Sequence, residues 1–395
     1  MLVVIGGGLF QSFAIKKAEE ISIKTVCVDI DNNAPGKNLC SHFIKKSTRD
    51  YAGIIEELEK EKIKPSGVIT VGTDMSRTVY EVSKHFGLDP GFNNPDVVVN
   101  KIEMRKRLKK FNIPQPDFVY GKSFEELKNK IIQSNLKFPL VIKPSENMGA
   151  RGVVKISDFE DLKNNFEISS GFSPDKRVIV EEYMEGPELS IETIVYNGKL
   201  FPLVTGDRHI EKEPYFVETG HSCPSKQSEE ILKQAFKVMS EAAAALGIYN
   251  GPAKGDIKIS GGKIKIGEIA ARLSGGFMSS HTLPLSTGID GIKLAVKQRM
   301  GLKISEEEFE PVKNMVCLER AIYFENEFVI KKIENVDKCL KIPGVEFIHF
   351  NLKEGDKFKI LKNNIGKIGN FIVRAESFKK AEKVVEKVFN TLIIK

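Results

Sequence analysis

The sequence predicts a multidomain protein of α/β and α+β class: a parallel βαβ unit first, an antiparallel centre next, and a small α+β segment last. Three observations carry this. The chain has 395 residues, more than the roughly 100–200 that one core usually serves. Its first segment alternates short β-branched runs with amphipathic stretches, the pattern of strands and helices in a parallel sheet. Its middle shows strict period-two alternation and a Gly-Gly hairpin signal, which belong to antiparallel sheet.

The first domain is expected over residues 1–95. Leu2 to Ile5, Thr25 to Asp29 and Gly67 to Val71 read as strands, with helices from about Gln11 to Glu20 and around Tyr51 to Glu61. Right-handed crossovers then give a Rossmann-like parallel sheet. Gly87-Leu88-Asp89-Pro90-Gly91 breaks the pattern, as turn residues do. A second unit is expected over 96–300. It opens on a Lys/Arg-rich helix from Asn100 to Lys110, stopped by Ile113-Pro114-Gln115-Pro116, where two prolines force an extended exit. Phe138 to Lys143 and Val178 to Val180 are apolar strands; Leu189, Ile191, Thr193 and Val195 alternate; a helix spans Glu229 to Leu246. Gly255 to Ile259 and Lys263 to Ile269 form a hairpin through Gly261-Gly262. Residues 301–395 hold short strands and a final helix, with Phe378, Ala381, Val385 and Val388 at helical spacing, the pattern of a small α+β cap.

Composition narrows the function. Hydrophobic residues make up 41% and charged residues 29%, the profile of a globular protein. The net charge of +7 arises from 60 basic and 53 acidic residues, with Lys and Glu intermixed, so nucleic-acid binding is not demanded. A surplus of cations lining a polyphosphate cleft accounts for it equally well. No apolar run approaches the ~18 residues of a membrane span, and the expected location is the cytoplasm. Five cysteines without CxxC spacing argue against a disulfide framework or a structural zinc site.

Two nucleotide readings compete. Gly6-Gly7-Gly8 after the first strand, with Asp29 ending the second, resembles part of a dinucleotide fingerprint. Its third glycine position is Gln11, and a tight strand-to-helix turn explains the run as well. The middle segment offers another set. Lys143 ends a buried strand before a loop that carries Gly149 and Gly152, whose backbone N–H groups suit polyphosphate. Asp256 and Glu268 lie on the two strands of the hairpin, and such hard oxygen ligands suit Mg²⁺ (or Mn²⁺), which completes its octahedron with water and phosphate. Arg272, four residues beyond Glu268, offers a bidentate fork for a phosphoryl group or acyl phosphate.

In their order and spacing these residues resemble the ATP-grasp superfamily, from about residue 1 to 300 and most strongly over 100–276. Asn100-Lys101-Ile102-Glu103-Met104-Arg105 resembles the entry to its nucleotide domains, and Phe138-Pro139-Leu140-Val141-Ile142-Lys143-Pro144 its phosphate-lysine strand. Val180 to Glu188 resembles its adenine hinge and ribose acid, and Gly267 to Arg272 its metal strand. The resemblance implies that ATP is bound, with Lys101 and Lys143 on the α and β phosphates. The hinge of Glu181, Glu182, Tyr183 and Met184 would meet adenine through backbone groups, and Glu188 would accept the ribose hydroxyls. Gly149 to Gly152 would cover the γ phosphate, and Asp256 with Glu268 would hold the metal. Ala270 stands where many members carry an Asn ligand.

Arg208, His209, Glu218 and His221 fall in a segment that resembles the substrate-facing part of amino-acid and dipeptide ligases. Arg272 with Gly275 and Gly276 resembles their acyl-phosphate loop. The implied activity is an ADP-forming ligase that joins a small carboxylate, expected to be an amino acid, to an amine. Alternatives are a bicarbonate-using purine or biotin-carboxylase type, an NAD- or FAD-dependent oxidoreductase, and a non-catalytic nucleotide-binding regulator. The expected partners are small molecules, without nucleic acid or membrane, and a homodimer is compatible with the sequence.

Overall fold

β1 (Leu2–Ile5), β2 (Thr25–Asp29), β3 (His42–Lys45) and β4 (Gly67–Ile69) pair in parallel in the order β3-β2-β1-β4. The computed structural model describes residues 1–395. β1 is buried along its whole length because helices cover both faces, which is why it reads as an unbroken apolar run. Helix Leu9–Glu20 returns from it, and helix Tyr51–Lys60 is capped by Asp50, whose carboxylate accepts from Gly53 N at 2.9 Å. β3 and helix Ser76–His85 have no counterpart in the sequence reading. β3 is an edge strand with a single buried residue, Ile44, and the buried face of the helix is half polar, with Ser76, Thr78 and Ser83 beside Val79 and Val82.

A second, antiparallel sheet contains β5 (Phe118–Gly121), β6 (Leu140–Pro144), β7 (Val154–Ile156) and β8 (Val178–Glu182) in the order β5-β8-β6-β7. Helices Phe124–Gln133 and Phe159–Gly171 close one face, burying Leu127, Ile131, Leu162 and Phe166 against Leu140, Ile142 and Val180.

The third sheet begins with β9 (Glu188–Tyr196), β10 (Lys199–Glu211), β11 (Val217–Cys223), β12 (Gly251–Ser260), β13 (Lys263–Ala270) and β14 (Val316–Ile322). Gly261 and Gly262 both adopt positive φ between β12 and β13, the geometry that a two-residue hairpin turn requires. Helix Glu229–Ala245 lays Ala235, Met239 and Ala242 on this sheet. The C-terminal segment adds β15 (Phe328–Val329), β16 (Ile333–Glu334), β17 (Val345–Phe350), β18 (Lys357–Phe358), β19 (Gly369–Ala375) and β20 (Ile393–Ile394). β15 with β18 and β16 with β20 are short ribbons, while β19 and β17 extend the third sheet to eight strands, β13-β12-β9-β10-β11-β14-β19-β17.

The C-terminal segment is thus continuous with the central sheet, and the expected boundary at residue 300 does not interrupt it. Helix Gly291–Arg299 also crosses back: Ile292, Ala295 and Val296 share one core with Leu2, Val4, Ala14 and Ile15. These shared elements bring three parts of the chain to one cleft. No helix is long and apolar enough to cross a membrane.

Candidate active site

The cleft has a volume of about 980 Å³ and is lined by the second and third sheets and by the segments that follow β1 and β4. One wall is built on helix Lys101–Lys110, capped by Asn100, whose side chain accepts from Ile102 N and Glu103 N. Lys101 begins the helix, and its ammonium meets Glu268 at 3.0 Å and the carbonyl of Asn147 at 2.9 Å. Burial pulls the Lys101 pKa down, but Glu268 and Asp74 outweigh it and hold the group above its ordinary value. One turn on, Arg105 meets Glu181 at 2.7 Å and donates to the carbonyls of Ile266 and Gly267. Lys143, from β6, reaches the other oxygen of Glu181 at 2.5 Å. Burial raises the Glu181 pKa, yet the two cations reverse this and bring it to about 2.

Asp256 and Glu268 face each other directly in the β12–β13 register. The pairing then slips, because Gly267 is an extra residue opposite Ile257 and Asp256; bulges of this kind re-aim a neighbouring side chain. A Cβ at Gly267 would lie 2.9 Å from the carbonyl of Asp256, so this bulge requires glycine. Asp256 Oδ2 meets Lys254 at 2.5 Å and Arg208 at 2.9 Å, whereas Oδ1 is buried without a partner. A buried carboxylate oxygen with no donor is unfavourable, and a divalent cation shared with Glu268 would satisfy it. Burial raises the Glu268 pKa, but Lys101, Lys254 and Lys143 bring it to about 2, which keeps it an anionic ligand. The pair fits Mg²⁺, which is bound by one or two carboxylates together with phosphate oxygens and water.

Over this wall lies the loop 147–152. Gly149, Ala150 and Gly152 all have positive φ, and Arg151 is tied back to Asn147 Oδ1 at 2.6 Å. At the far end, the Arg272 guanidinium holds Asp74 through Nε at 2.7 Å and through a second nitrogen at 2.5 Å. Asp74 follows β4, so this ion pair joins the first domain to the strand β13. Gly72 N donates to Leu273 O at 3.1 Å beside it. Glu192 supports the same loop, accepting from Ser274 N at 3.0 Å and Ser279 Oγ at 3.2 Å; burial raises its pKa despite these bonds.

Arg208 is the hub of the substrate-facing segment. It binds Glu188, Glu218 and Asp256 together. Burial opposes ionisation of Glu218, but Arg208, Lys367 and His221 hold its pKa well below the carboxylate range. His221 is buried, with Nε2 2.9 Å from Thr282 Oγ1 and Nδ1 3.3 Å from Glu319.

The structure brings together on the cleft lining Lys101, Lys143, Gly149, Glu181, Glu182, Met184, Glu188, Arg208, Glu218, His221, Asp256, Glu268, Arg272, Gly275 and Gly276. Gly152 and His209 fall outside it. Gly152 turns toward Phe172 at the base of the loop, where a Cβ would meet the ring at 2.8 Å. His209 neighbours Arg208 on β10 and, by strand alternation, faces away; it bonds to Ser222 Oγ at 2.8 Å, and burial lowers its pKa. The Glu181 side chain is locked between Arg105 and Lys143, consistent with the expectation that the hinge would meet a base through its backbone.

Sequence reasoning passed over Asp74, Arg105, Lys254 and Lys367. Three had a readable signal. Arg105 is four residues from Lys101 on one helix face, and Lys254 precedes Asp256 by two on one strand face. Asp74 follows the carboxyl end of a parallel strand, the position where open α/β sheets place ligands.

Residues 136–281 match the ATP-grasp domain model. Residues 320–395 match L-amino acid ligase C-terminal domain 2. Together these two matches cover the central and the C-terminal parts of the chain. The chain is similar to a formate-dependent phosphoribosylglycinamide formyltransferase of Sulfurisphaera tokodaii, with 25% identity over 97% of this chain and 96% of the relative. Its fold is similar to that of an L-amino acid ligase from Bacillus licheniformis, with a TM-score of 0.83 and 20% identity, covering 100% of this chain and 98% of that one. It is similar as well to the biotin carboxylase domain of 2-oxoglutarate carboxylase from Hydrogenobacter thermophilus, solved with MgADP and bicarbonate. There the TM-score is 0.76 and the identity 16%, over 100% of this chain and 90% of that one.

Proposed function

We propose that the enzyme activates an amino-acid carboxylate with ATP and transfers the acyl group to an amine, with Asp256 and Glu268 as the Mg²⁺ (or Mn²⁺) ligands. The observation that carries this reading is the unpaired, buried Asp256 Oδ1 opposite Glu268 on the wall that also bears Lys101 and Lys143. Asp256 and Glu268 would hold Mg²⁺, which would supply positive charge to offset the negative charge developing during phosphoryl transfer.

The chain's own residues do the rest. Lys101 and Lys143 hold the inner phosphates, the hinge of Glu181 to Met184 takes adenine through its backbone, and Glu188 takes the ribose hydroxyls. The carboxylate oxygen attacks the γ phosphorus, the bond to the β-phosphate oxygen breaks, and ADP leaves. Arg272 offsets the charge that develops on the transferred group, work that is positioning and electrostatics. The loop around Gly149 excludes water from the acyl phosphate. Amine attack at the acyl carbon then expels phosphate, with the N–H groups near Gly275 and Gly276 at the oxyanion.

Similarity to a formate-dependent purine enzyme across 97% of the chain favours a second reading, in which the acid is a one-carbon carboxylate. ADP release across amino acids, alone and in pairs, and with formate or bicarbonate, separates the two. Release that requires a pair of amino acids supports the ligase of amino acids; release that requires formate or bicarbonate overturns it.

A further inference from the structure

Four carboxyl side chains of the chain are buried: Glu181, Glu192, Asp256 and Glu319. Three of them face a basic group. Glu181 holds Arg105 and Lys143, Asp256 holds Lys254 and Arg208, and Glu319 stands 3.3 Å from His221. Glu192, on β9 at 0% exposure, makes no ion pair. Lys254 lies opposite it in the β9–β12 register but is engaged by Asp256, and Arg272 is engaged by Asp74. On the other side, its neighbour on β10 is Val204. Burial raises the Glu192 pKa, and the through-space pull of Lys254 and Arg272 does not reverse this. A buried charge without a partner is unfavourable.

The hydrogen bonds around Glu192 fix where a proton must lie. Oε1 accepts from Ser274 N at 3.0 Å, and Oε2 lies 3.2 Å from Ser279 Oγ. Ser279 Oγ also lies 2.9 Å from Ser274 O. The hydroxyl thus has one proton and two acceptors. Given to the nearer, Ser274 O, it leaves Ser279 Oγ and Glu192 Oε2 lone pair to lone pair in the core, unless Oε2 carries a proton of its own. A carboxylic acid has that proton, and the ring closes: Ser274 N donates to Oε1, Oε2 to Ser279 Oγ, and Ser279 Oγ to Ser274 O. Both backbone groups of Ser274 are then held from behind the cleft lining, between Arg272 on one side and Gly275 and Gly276 on the other.

We propose that Glu192 is an uncharged carboxylic acid and a positioning residue for the loop 272–276, which it holds through Ser274 and Ser279. This rests on the ligase reading. In that reading the loop faces the negative charge that builds up on the acyl phosphate and the oxyanion, and preorganised donors stabilise such charge. An ionised Glu192 would set a negative charge directly behind those donors and oppose them. The neutral acid holds the same loop without that field.

The test uses the full chain. An infrared difference spectrum at pH 7 between the parent and Glu192→Gln should show the carbonyl stretch of a protonated carboxyl in the parent only, a readout independent of turnover. Turnover is then followed with an α-amino acid that yields hydroxamate from ATP and hydroxylamine. Glu192→Leu, of similar bulk but without the bonds, should lower kcat by about tenfold to a hundredfold with KM for ATP little changed. Glu192→Gln keeps an acceptor for Ser274 N and a donor for Ser279 Oγ, and should rescue most of that loss. Absence of the band from the difference spectrum overturns the inference. So does Glu192→Leu with the parent's kcat, or Glu192→Gln that turns over no faster than Glu192→Leu; in all these cases the ligase reading stands. Should Glu192→Leu fail to fold, the band and the kcat of Glu192→Gln decide, and a Glu192→Gln chain that does not fold also overturns the inference, since it keeps every bond of the ring. Absence of hydroxamate with every acid overturns the ligase reading and the positioning role with it, while the band still reports the proton on its own.

Discussion

Substituting Glu181→Gln probes whether a buried charge network holds the nucleotide wall. The carboxylate is 1% exposed and is shared by Arg105 at 2.7 Å and Lys143 at 2.5 Å. Glutamine keeps the volume and removes the charge, so Arg105 and Lys143 are left buried beside each other. Removing one partner of a buried ion pair costs about 3–5 kcal/mol. The carboxyl pKa gives a second route to the same magnitude. It falls from 4.5 to about 2, and at 1.36 kcal/mol per unit the linkage is about 3 kcal/mol. A loss near 3 kcal/mol lowers the melting midpoint of a domain of this size by about 6–12 °C, measurable by scanning calorimetry at pH 7. Because the folded pKa is the lower one, this stabilisation is complete above the ordinary carboxyl pKa and is lost as pH falls through the folded value of about 2. The gap between parent and variant should therefore close on acidification across that window. A Glu181→Gln protein that melts with the parent at pH 7, or a gap that persists undiminished at acid pH, refutes the reasoning. Arg105→Met combined with Glu181→Leu should recover only part of the loss, since the apolar pair removes the stranded Arg105 charge but still leaves Lys143 without its partner.

Glu268→Gln and Lys143→Ala should each abolish acid- and amine-dependent ADP release while circular dichroism stays that of the parent; full turnover in either variant removes that residue from the site. Arg272→Lys should lower kcat by about a hundredfold or more, because an ammonium cannot reproduce the two-nitrogen grip on Asp74 while facing the transferred group; near-normal rates would make Arg272 a structural residue. Ala270→Asn restores an amide oxygen two residues beyond Glu268 on one strand face, and should lower the Mg²⁺ concentration that gives half-maximal ADP release severalfold. An unchanged Mg²⁺ dependence places residue 270 away from the metal.

Much of the site was legible because its chemistry sits on regular elements. Lys143, Glu188, Asp256, Glu268 and Arg272 lie on strands or at their ends, where spacing maps onto faces, and the Gly261-Gly262 turn fixed which strands carry the two carboxylates. The same rule exposed the weakness of His209: adjacent to Arg208 on one strand, the two could not both face the cleft. What stayed hidden depends on long-range pairing. Asp74 and Arg272 are 198 residues apart, and no local pattern announces such a pair. Lys367 lies among surface-like lysines in a segment without a motif, and only the continuation of the central sheet through β14, β19 and β17 buries it. The Gly6 to Gly8 turn illustrates the converse. It is conspicuous in sequence, yet Gly7 N is bonded to Asp29 Oδ2 at 2.7 Å and Gly36 packs on Gly7, so the fold itself uses the acid that a dinucleotide ribose would need.

The arrangement around Arg208 explains how so many carboxylates coexist in one buried cleft before any ligand arrives. Glu188 and Asp256 each have a second cation, Lys258 and Lys254, so Arg208 can release either without stranding a buried charge. Glu218 has no second lysine or arginine in contact: beyond Arg208 it meets only His221, whose Nδ1 lies 3.9 Å from Oε1. A ligand that drew Glu188 or Asp256 away from Arg208 would therefore leave each of them with its lysine, while Arg208 and Glu218 would stay paired.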